Sequence, residues 1–271
     1  MAEIIFRDKK IFYRSEGEGN PVVLLHGFGE DGNIWNPQFK KLKQDHFVIV
    51  PDLPGSGQSS MLEGECSLDD YAEVVKAIAE KEIFKNATNS KKTFALIGHS
   101  MGGYITLAFA RKYPEVLNSF GIFHSSAFAD DEQKIETRKK GIDFITKNGA
   151  KAFLKTSVPN LFSEKTKKEK PELIEKLLNI ARHISGEALI QYYGAMIKRP
   201  DTTSVLESFS KPILFIIGKH DAAIPLQASL RQCHIPSISS IHILQNSGHV
   251  GMWEEPELSN AYLTNFLNAI V

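Results

Sequence analysis

One serine lies in a run of small residues that is suited to nucleophilic catalysis. The run follows the apolar stretch of residues 93–97, precedes a helical pattern and reads Gly98-His99-Ser100-Met101-Gly102-Gly103. A chain that turns this sharply from strand to helix leaves the serine hydroxyl exposed, and side chains at Gly98 and Gly102 would collide across the turn. The helix N-terminus also presents backbone N–H groups to an anion forming nearby. The pattern predicts Ser100 as a nucleophile.

A histidine is needed as well, because a serine hydroxyl attacks a carbonyl only when a base takes its proton. Among the nine histidines, His249 follows the last strand-like run, within a Gly-containing loop and before a final helical pattern. His249 is therefore the predicted base. His26 and His99 lie inside loop motifs and are expected to shape them, and His124 follows an earlier strand end, as a structural or pocket-lining residue.

The acid that orients the histidine is expected after the strand before the last one. Asp221 follows residues 213–217 directly, and the chain order Ser100, Asp221, His249 is the order expected for this kind of serine turn. Such an acid selects the histidine tautomer and stabilises the imidazolium. A turn or helix-capping role for Asp221 is the alternative. The preceding strand ends in residues 124–127, which contain no carboxylate, and Asp52 is expected to cap its own loop.

These residues require a sheet to position them, and short apolar runs alternate with helical patterns in the way of a mostly parallel sheet covered on both faces. Strands are predicted at residues 4–6, 11–13, 21–25, 47–50, 93–97, 119–123, 213–217 and 240–244, the first two forming an antiparallel edge. Helices are predicted at residues 67–81, with Ser67 as N-cap, and at 102–113 and 258–271.

Residues 128–208 interrupt this alternation, because they contain no convincing strand. Helical patterns cover residues 131–147, 149–155, 171–184 and 185–198, and the charged stretch 163–170 is expected to be a solvated helix or loop. The predicted organisation is a core of residues 1–127 and 209–271 with a helical cap, residues 128–208, inserted between two strands.

With these motifs the chain resembles the α/β-hydrolase superfamily, in particular small capped carboxylesterases and enol-lactonases. Besides the serine run, the resemblance rests on His26-Gly27-Phe28-Gly29, on the loop of residues 51–59, on residues 246–249 and on residues 194–201. It implies an α/β-hydrolase fold and an oxyanion hole formed by the backbone N–H groups of Phe28 and Met101.

The expected reaction is hydrolysis of a small carboxylic ester or lactone through an acyl-enzyme. Hydrolysis of a carbon–carbon, thioester or amide bond, or lyase chemistry, by the same triad stays open. A non-catalytic binding protein with this fold is the third possibility, which the presence of every triad residue disfavours. A serine at position 100 argues against dehalogenases and epoxide hydrolases. The candidate pocket residues are Phe28, Phe128, Phe153, Tyr192, Tyr193 and Met196.

Composition limits the classes of partner. The 271 residues include 32 basic and 32 acidic side chains, so no field of one sign attracts nucleic acid or an anionic membrane. The apolar runs are too short to span a bilayer, and without a signal-peptide pattern a cytoplasmic location is expected. A small-molecule substrate is the expected partner, and the oligomeric state is not indicated.

Neither a cofactor nor a metal is expected, since no group of His, Asp, Glu and Cys has the spacing of metal ligands along the chain. The two cysteines, Cys66 and Cys233, are far apart in a chain of this size. They are predicted to be buried free thiols rather than a disulfide.

Overall fold

A computed structural model describes residues 2–85 and 93–270, and within these residues eight strands form one sheet. The strands are β1 Ala2–Phe6, β2 Lys9–Glu16, β3 Asn20–Leu25, β4 His46–Pro51, β5 Phe94–His99, β6 Leu117–Phe123, β7 Ile213–Gly218 and β8 Ser239–Leu244. Their order is β1-β2-β4-β3-β5-β6-β7-β8. β1, β2 and β4 pair antiparallel and the remaining neighbours pair parallel, so the predicted sheet and its antiparallel edge are confirmed.

Burial explains why the strands could be recognised. Every residue of β5 and β7 is buried, because helices cover both faces of the sheet there, and both strands are almost continuously apolar. β1 lies at an edge, and its residues alternate between half-buried and exposed. The parallel strands end at one edge of the sheet, and this is where the loops carrying Ser100, Asp221 and His249 emerge.

The helices lie between the strands and over this edge. They are α1 Asn36–Leu42, α2 Leu68–Ala79, α3 Met101–Lys112, α4 Glu132–Ser157, α5 Glu164–Glu169, α6 Glu172–Ala181, α7 Gly186–Ile197, α8 Thr203–Ser208, α9 Leu226–Cys233, α10 Gly251–Glu254 and α11 Pro256–Asn268. Ser67 caps α2 through a reciprocal pair of hydrogen bonds with Asp70, as expected. The sequence did not predict α1, α8, α9 and α10, which are too short to show a clear period. Val271, the predicted end of the last helix, lies outside the described residues.

Residues 128–208 contain helices and no strand. α4 is interrupted at Gly149, whose φ of 81° and ψ of 163° are not helical, so two helical segments meet where the sequence predicts a boundary. The charged stretch forms α5 with mostly exposed residues, but Ser163 and Thr166 are buried, and the Ser163 N–H and the Thr166 hydroxyl both donate to Glu254.

Both cysteines are buried and unpaired, as predicted. Burial raises the pKa of the Cys233 thiol to about 12, so this group is not a nucleophile near neutral pH. Among the helices that the structure describes, we find none with the length and apolarity that a membrane crossing requires.

Candidate active site

Ser100 occupies the sharp turn between β5 and α3. Its φ of 52° and ψ of −115° lie in a region of backbone conformation that residues other than glycine rarely adopt. A Cβ at Gly102 would lie 2.6 Å from the His26 carbonyl oxygen, and one at Gly98 would overlap the Gly102 carbonyl. The turn is anchored by the Ser100 N–H, which donates to the Phe123 carbonyl at 3.0 Å. The sequence therefore needs glycine at both positions to hold this serine.

Asp221 and His249 meet as a buried hydrogen-bonded pair. The loop after β8 carries His249, whose Nδ1 lies 2.7 Å from Asp221 Oδ2. The other carboxylate oxygen accepts the N–H groups of Ala223 and Ile224, each at 2.9 Å, which fixes the direction of the carboxylate. Because Nδ1–H donates to the acid, the ring has Nε2 available as a proton acceptor.

The charges in this pair control its titration. Burial by itself would raise the pKa of Asp221, but the neighbouring His249 lowers it, and the carboxyl group stays ionised. Burial by itself would lower the pKa of His249, but Asp221 outweighs burial and raises it. A histidine shifted in this direction becomes a stronger base.

A cavity of about 320 Å³ connects the serine with the histidine. Its lining residues are Phe28, Glu30, Ser100, Tyr104, Lys134, Thr137, Arg138, Leu154, Ser157, Val158, Leu161, Tyr193, Met196, Ala222, Ala223, Ile224 and His249. The Ser100 hydroxyl forms no hydrogen bond with the described residues, including His249. Contacts of this kind often tighten only when substrate binds.

Two backbone amides are free beside the serine. Neither the Phe28 N–H nor the Met101 N–H donates to an acceptor in the part of the chain that the structure describes. Phe28 follows Gly27 in the loop after β3, and Met101 is the first residue of α3. Unpaired N–H groups beside a nucleophile can stabilise an anionic intermediate.

Glu30 and His99 hold three loops together; the sequence predicts a loop-shaping role for His99 but none for Glu30. Glu30 Oε2 accepts the Gly27 N–H at 2.7 Å and lies 3.0 Å from His99 Nδ1. His99 Nε2 lies 2.8 Å from the His249 carbonyl oxygen. Burial would raise the pKa of Glu30, but His99 and the Gly27 amide outweigh burial and lower it. This bridge fixes the free-amide loop and the histidine loop relative to the serine turn.

His124 packs beside the acid at the end of β6. Its Nδ1 lies 3.0 Å from the Gly218 nitrogen and 3.3 Å from Asp221 Oδ2. Burial lowers the pKa of His124 to about 4, so the ring is neutral near pH 7. A neutral ring that accepts the Gly218 N–H at Nδ1 cannot donate from the same nitrogen to Asp221. His124 is thus a structural neighbour of the acid, and it is not among the cavity-lining residues.

His124, Asp221 and His249 also form a group whose potential metal-ligating atoms lie within 4.8 Å of one another. Spacing along the chain does not reveal this group, because its members come from three different loops. Two of the three residues are already hydrogen-bonded to each other, through His249 Nδ1 and Asp221 Oδ2. The arrangement is that of an acid–histidine pair with an adjacent buried histidine.

Comparison with known proteins places this geometry in a family. A family model described as the alpha/beta hydrolase fold matches residues 20–256, which is most of the chain. The protein is a member of the α/β-hydrolase fold family.

Two curated relatives of this α/β-hydrolase match along almost its whole length. A 2-hydroxy-6-oxononadienedioate/2-hydroxy-6-oxononatrienedioate hydrolase of Paraburkholderia phymatum is 27% identical over 274 residues, covering 95% of this chain and 91% of the relative. An (E)-2-((N-methylformamido)methylene)succinate hydrolase of Acinetobacter baylyi is 24% identical over 262 residues, covering 94% and 93%. With the family, these relatives identify the protein as a hydrolase.

Solved structures agree with this assignment. A thermophilic esterase from Thermogutta terrifontis superposes with a TM-score of 0.91 at 27% identity, covering 99% of this chain and 98% of the esterase. The enol-lactonase from Burkholderia xenovorans LB400 has a TM-score of 0.88 at 19% identity, covering 98% and 100%, and shows the same fold.

Three of the six predicted pocket residues of the α/β-hydrolase line the cavity, namely Phe28, Tyr193 and Met196. The rings of Phe28 and Tyr193 stack with their centroids 4.3 Å apart. Phe153 is outside the lining and packs edge-on against both rings.

Tyr192 and Phe128 do not line the cavity, which corrects the prediction for both. The Tyr192 hydroxyl is buried, donates to the Pro54 carbonyl at 2.6 Å and lies 2.8 Å from Ser56 Oγ. Neighbouring residues on a helix point about 100° apart, so Tyr192 faces the core while Tyr193 faces the cavity. The ring of Phe128 packs under the Arg231 guanidinium instead.

Proposed function

We propose that this α/β-hydrolase cleaves small carboxylic esters or lactones through an acyl-enzyme on Ser100. The observation that carries the proposal is the cavity wall on which an unbonded serine hydroxyl and a buried, acid-paired histidine occur together. The similarity to an esterase at 27% identity and to the fold of an enol-lactonase supports this bond type.

In the proposed reaction, His249 Nε2 takes the proton of Ser100 Oγ while Oγ attacks the substrate carbonyl. The Phe28 and Met101 amides donate to the resulting oxyanion. The intermediate expels the alcohol, which takes the proton from His249, and the acyl group stays on Oγ. Water then attacks this acyl-enzyme with His249 again as base, and the acid is released as Ser100 regains its proton. Asp221 stays ionised throughout.

We also propose that residues 128–208 form a cap over a core of residues 1–127 and 209–271. Both parts contribute to the cavity wall: α4 supplies Leu154 and α7 supplies Tyr193 and Met196, whereas Phe28 and Ser100 belong to loops of the sheet. In this arrangement the core performs the chemistry and the helical layer selects the acyl chain.

A substrate panel tests the bond type. The panel contains p-nitrophenyl esters of increasing acyl length, an aliphatic lactone, a thioester and an anilide. We expect turnover of the oxygen esters and the lactone, and rapid quenching with acid should trap a protein whose mass is increased by the acyl group at Ser100. Cleavage of the thioester or the anilide without any turnover of oxygen esters would contradict the proposal.

Replacing Tyr193 or Met196 with Ala should change the ratio of kcat/KM between short and long acyl esters. Each lost pocket contact is expected to change this ratio by about 5- to 150-fold, the equivalent of about 1–3 kcal/mol. Labelling of Ser100 by a small phosphonate should barely change.

Tyr192→Phe is the matched control for these two variants. Its ring stays in place but the hydroxyl bonds to Pro54 and Ser56 are lost, so the free energy of unfolding should fall by about 1 kcal/mol. Its acyl-length ratio should equal that of the wild type. If the acyl-length ratio changes in Tyr192→Phe but not in Tyr193→Ala or Met196→Ala, then Tyr193 and Met196 are not the residues that contact the acyl chain.

A further inference from the structure

The charged residues of the cavity wall differ in whether they have partners. Glu30 is bonded to Gly27 and His99, and His249 is bonded to Asp221. Arg138 Nε lies 2.5 Å from Asp130 Oδ2. Lys134 also lines the cavity and is half-buried, but its side chain has no hydrogen-bond or ion-pair partner among the described residues. The Lys134 ammonium is therefore available to bind an anion that enters the cavity.

The neighbouring ion pair does not supply a counter-charge for Lys134. Asp130 is shared between two guanidinium groups, because Arg199 Nη1 approaches Asp130 Oδ1 to 2.8 Å in addition to the contact with Arg138. Burial would raise the pKa of Asp130, but the two arginines outweigh burial and lower it, so the carboxyl group is ionised. Asp130 is therefore already paired with both arginines and is not paired with Lys134.

Helix energetics do not account for Lys134 either. Its backbone N–H donates to the N-cap side chain of Asp131 at 2.7 Å, which places it in the first turn of α4. Positive charges at this end of a helix oppose the helix dipole, and acidic residues are preferred there. Neither helix stability nor an ion pair among the described residues therefore accounts for a lysine at this position.

We propose that Lys134 binds a carboxylate of the substrate. The preferred substrates are then esters or lactones that carry a carboxylate remote from the bond that is cleaved. This inference rests on the proposed function for the identity of the cleaved bond, whereas binding of the anion requires only the cavity.

Two substrates with equal acyl length test the inference in turnover. They are p-nitrophenyl hexanoate, which is neutral, and mono-p-nitrophenyl adipate, which ends in a carboxylate. We expect the wild type to prefer the adipate ester in kcat/KM, and Lys134→Gln to lower this preference by about 10- to 100-fold, since a hydrogen bond to a charged group is lost. Higher ionic strength should weaken the preference of the wild type, because the lysine is half-exposed.

Lys139→Gln is the matched control, because Lys139 is an exposed lysine of the same helix and does not line the cavity. It should keep the preference of the wild type. Phosphonate labelling of Ser100 should be equal in the wild type and both variants, which excludes damage to the nucleophile.

Binding of free adipate is measured in parallel, since it does not depend on turnover. Adipate should raise the Tm of the wild type and of Lys139→Gln, and raise that of Lys134→Gln much less. If Lys134→Gln weakens adipate binding but keeps the ester preference of the wild type, Lys134 still binds a carboxylate. The substrate would then carry this carboxylate on its alcohol part and not on its acyl part. If Lys134→Gln changes neither the ester preference nor adipate binding, the inference is overturned while hydrolysis of the hexanoate ester still upholds the proposed function. If no ester is turned over but adipate binds through Lys134, the proposed function fails and the anion site stands.

Discussion

Ser100→Ala should lower kcat by about 10⁴-fold or more, the effect expected when the nucleophile of a catalytic triad is removed. The fold should be unaffected, for two reasons that the structure provides. The Ser100 hydroxyl makes no hydrogen bond that alanine would lose, and both side chains are equally strained at a φ of 52°. The free energy of unfolding should therefore change by about 0.5 kcal/mol or less.

The measurement combines kinetics on the best ester of the panel with labelling by a fluorophosphonate, followed by peptide mapping. Wild type should be labelled at Ser100 and the alanine variant should not be labelled. Ser204→Ala is the control, because Ser204 is an exposed serine in α8 and is not part of the cavity wall. Labelling or full turnover that persists in folded Ser100→Ala would show that another group is the nucleophile.

Asp221→Asn should lower kcat by about 10²-fold or more, because an asparagine does not select the histidine tautomer that leaves Nε2 free. The residual activity should also change its pH dependence. Asp221 raises the pKa of His249 above the ordinary histidine value of about 6.5, and only the neutral ring accepts a proton. In the wild type, kcat/KM should therefore fall as the pH drops through a pKa above about 6.5.

The asparagine variant loses this attraction and keeps the burial of His249, which lowers the pKa of the ring. The decline in kcat/KM should consequently move to lower pH than in the wild type. Profiles of kcat/KM against pH for both proteins measure this shift. An unchanged profile with full kcat in a folded Asp221→Asn variant would show that the acid lies elsewhere.

Asp52→Asn is the matched control for the acid. Asp52 accepts the backbone N–H of Gln58 in its own loop, as the sequence predicts, and also that of Gly32 in the segment after β3, each at 2.9 Å. It is outside the cavity wall. Its replacement should lower Tm through the weakened loop bonds and leave the position of the pH decline unchanged.

The sheet and the serine turn follow from local sequence, and both were predictable for physical reasons. A parallel strand covered on both faces must be apolar along its length, which made β5 and β7 visible as continuous runs. The turn at Ser100 tolerates no side chain at Gly98 or Gly102, so the two glycines in the sequence indicate a sharp turn at this position. The short helices α1 and α8 were missed because two turns are too few to establish a period.

The sequence alone also determined which residue types stand at the strand ends, and hence the candidates Ser100, Asp221 and His249. Only the tertiary structure decided which side chains meet. Glu30 contacts His99 across 69 positions of the chain, and His99 contacts the His249 carbonyl across 150, distances over which no local pattern carries information. On α7 the fold turned Tyr193 to the cavity and Tyr192 to the core. The sequence also could not show that the Lys134 ammonium lacks a partner among the described residues, because this depends on every chain segment that packs near it.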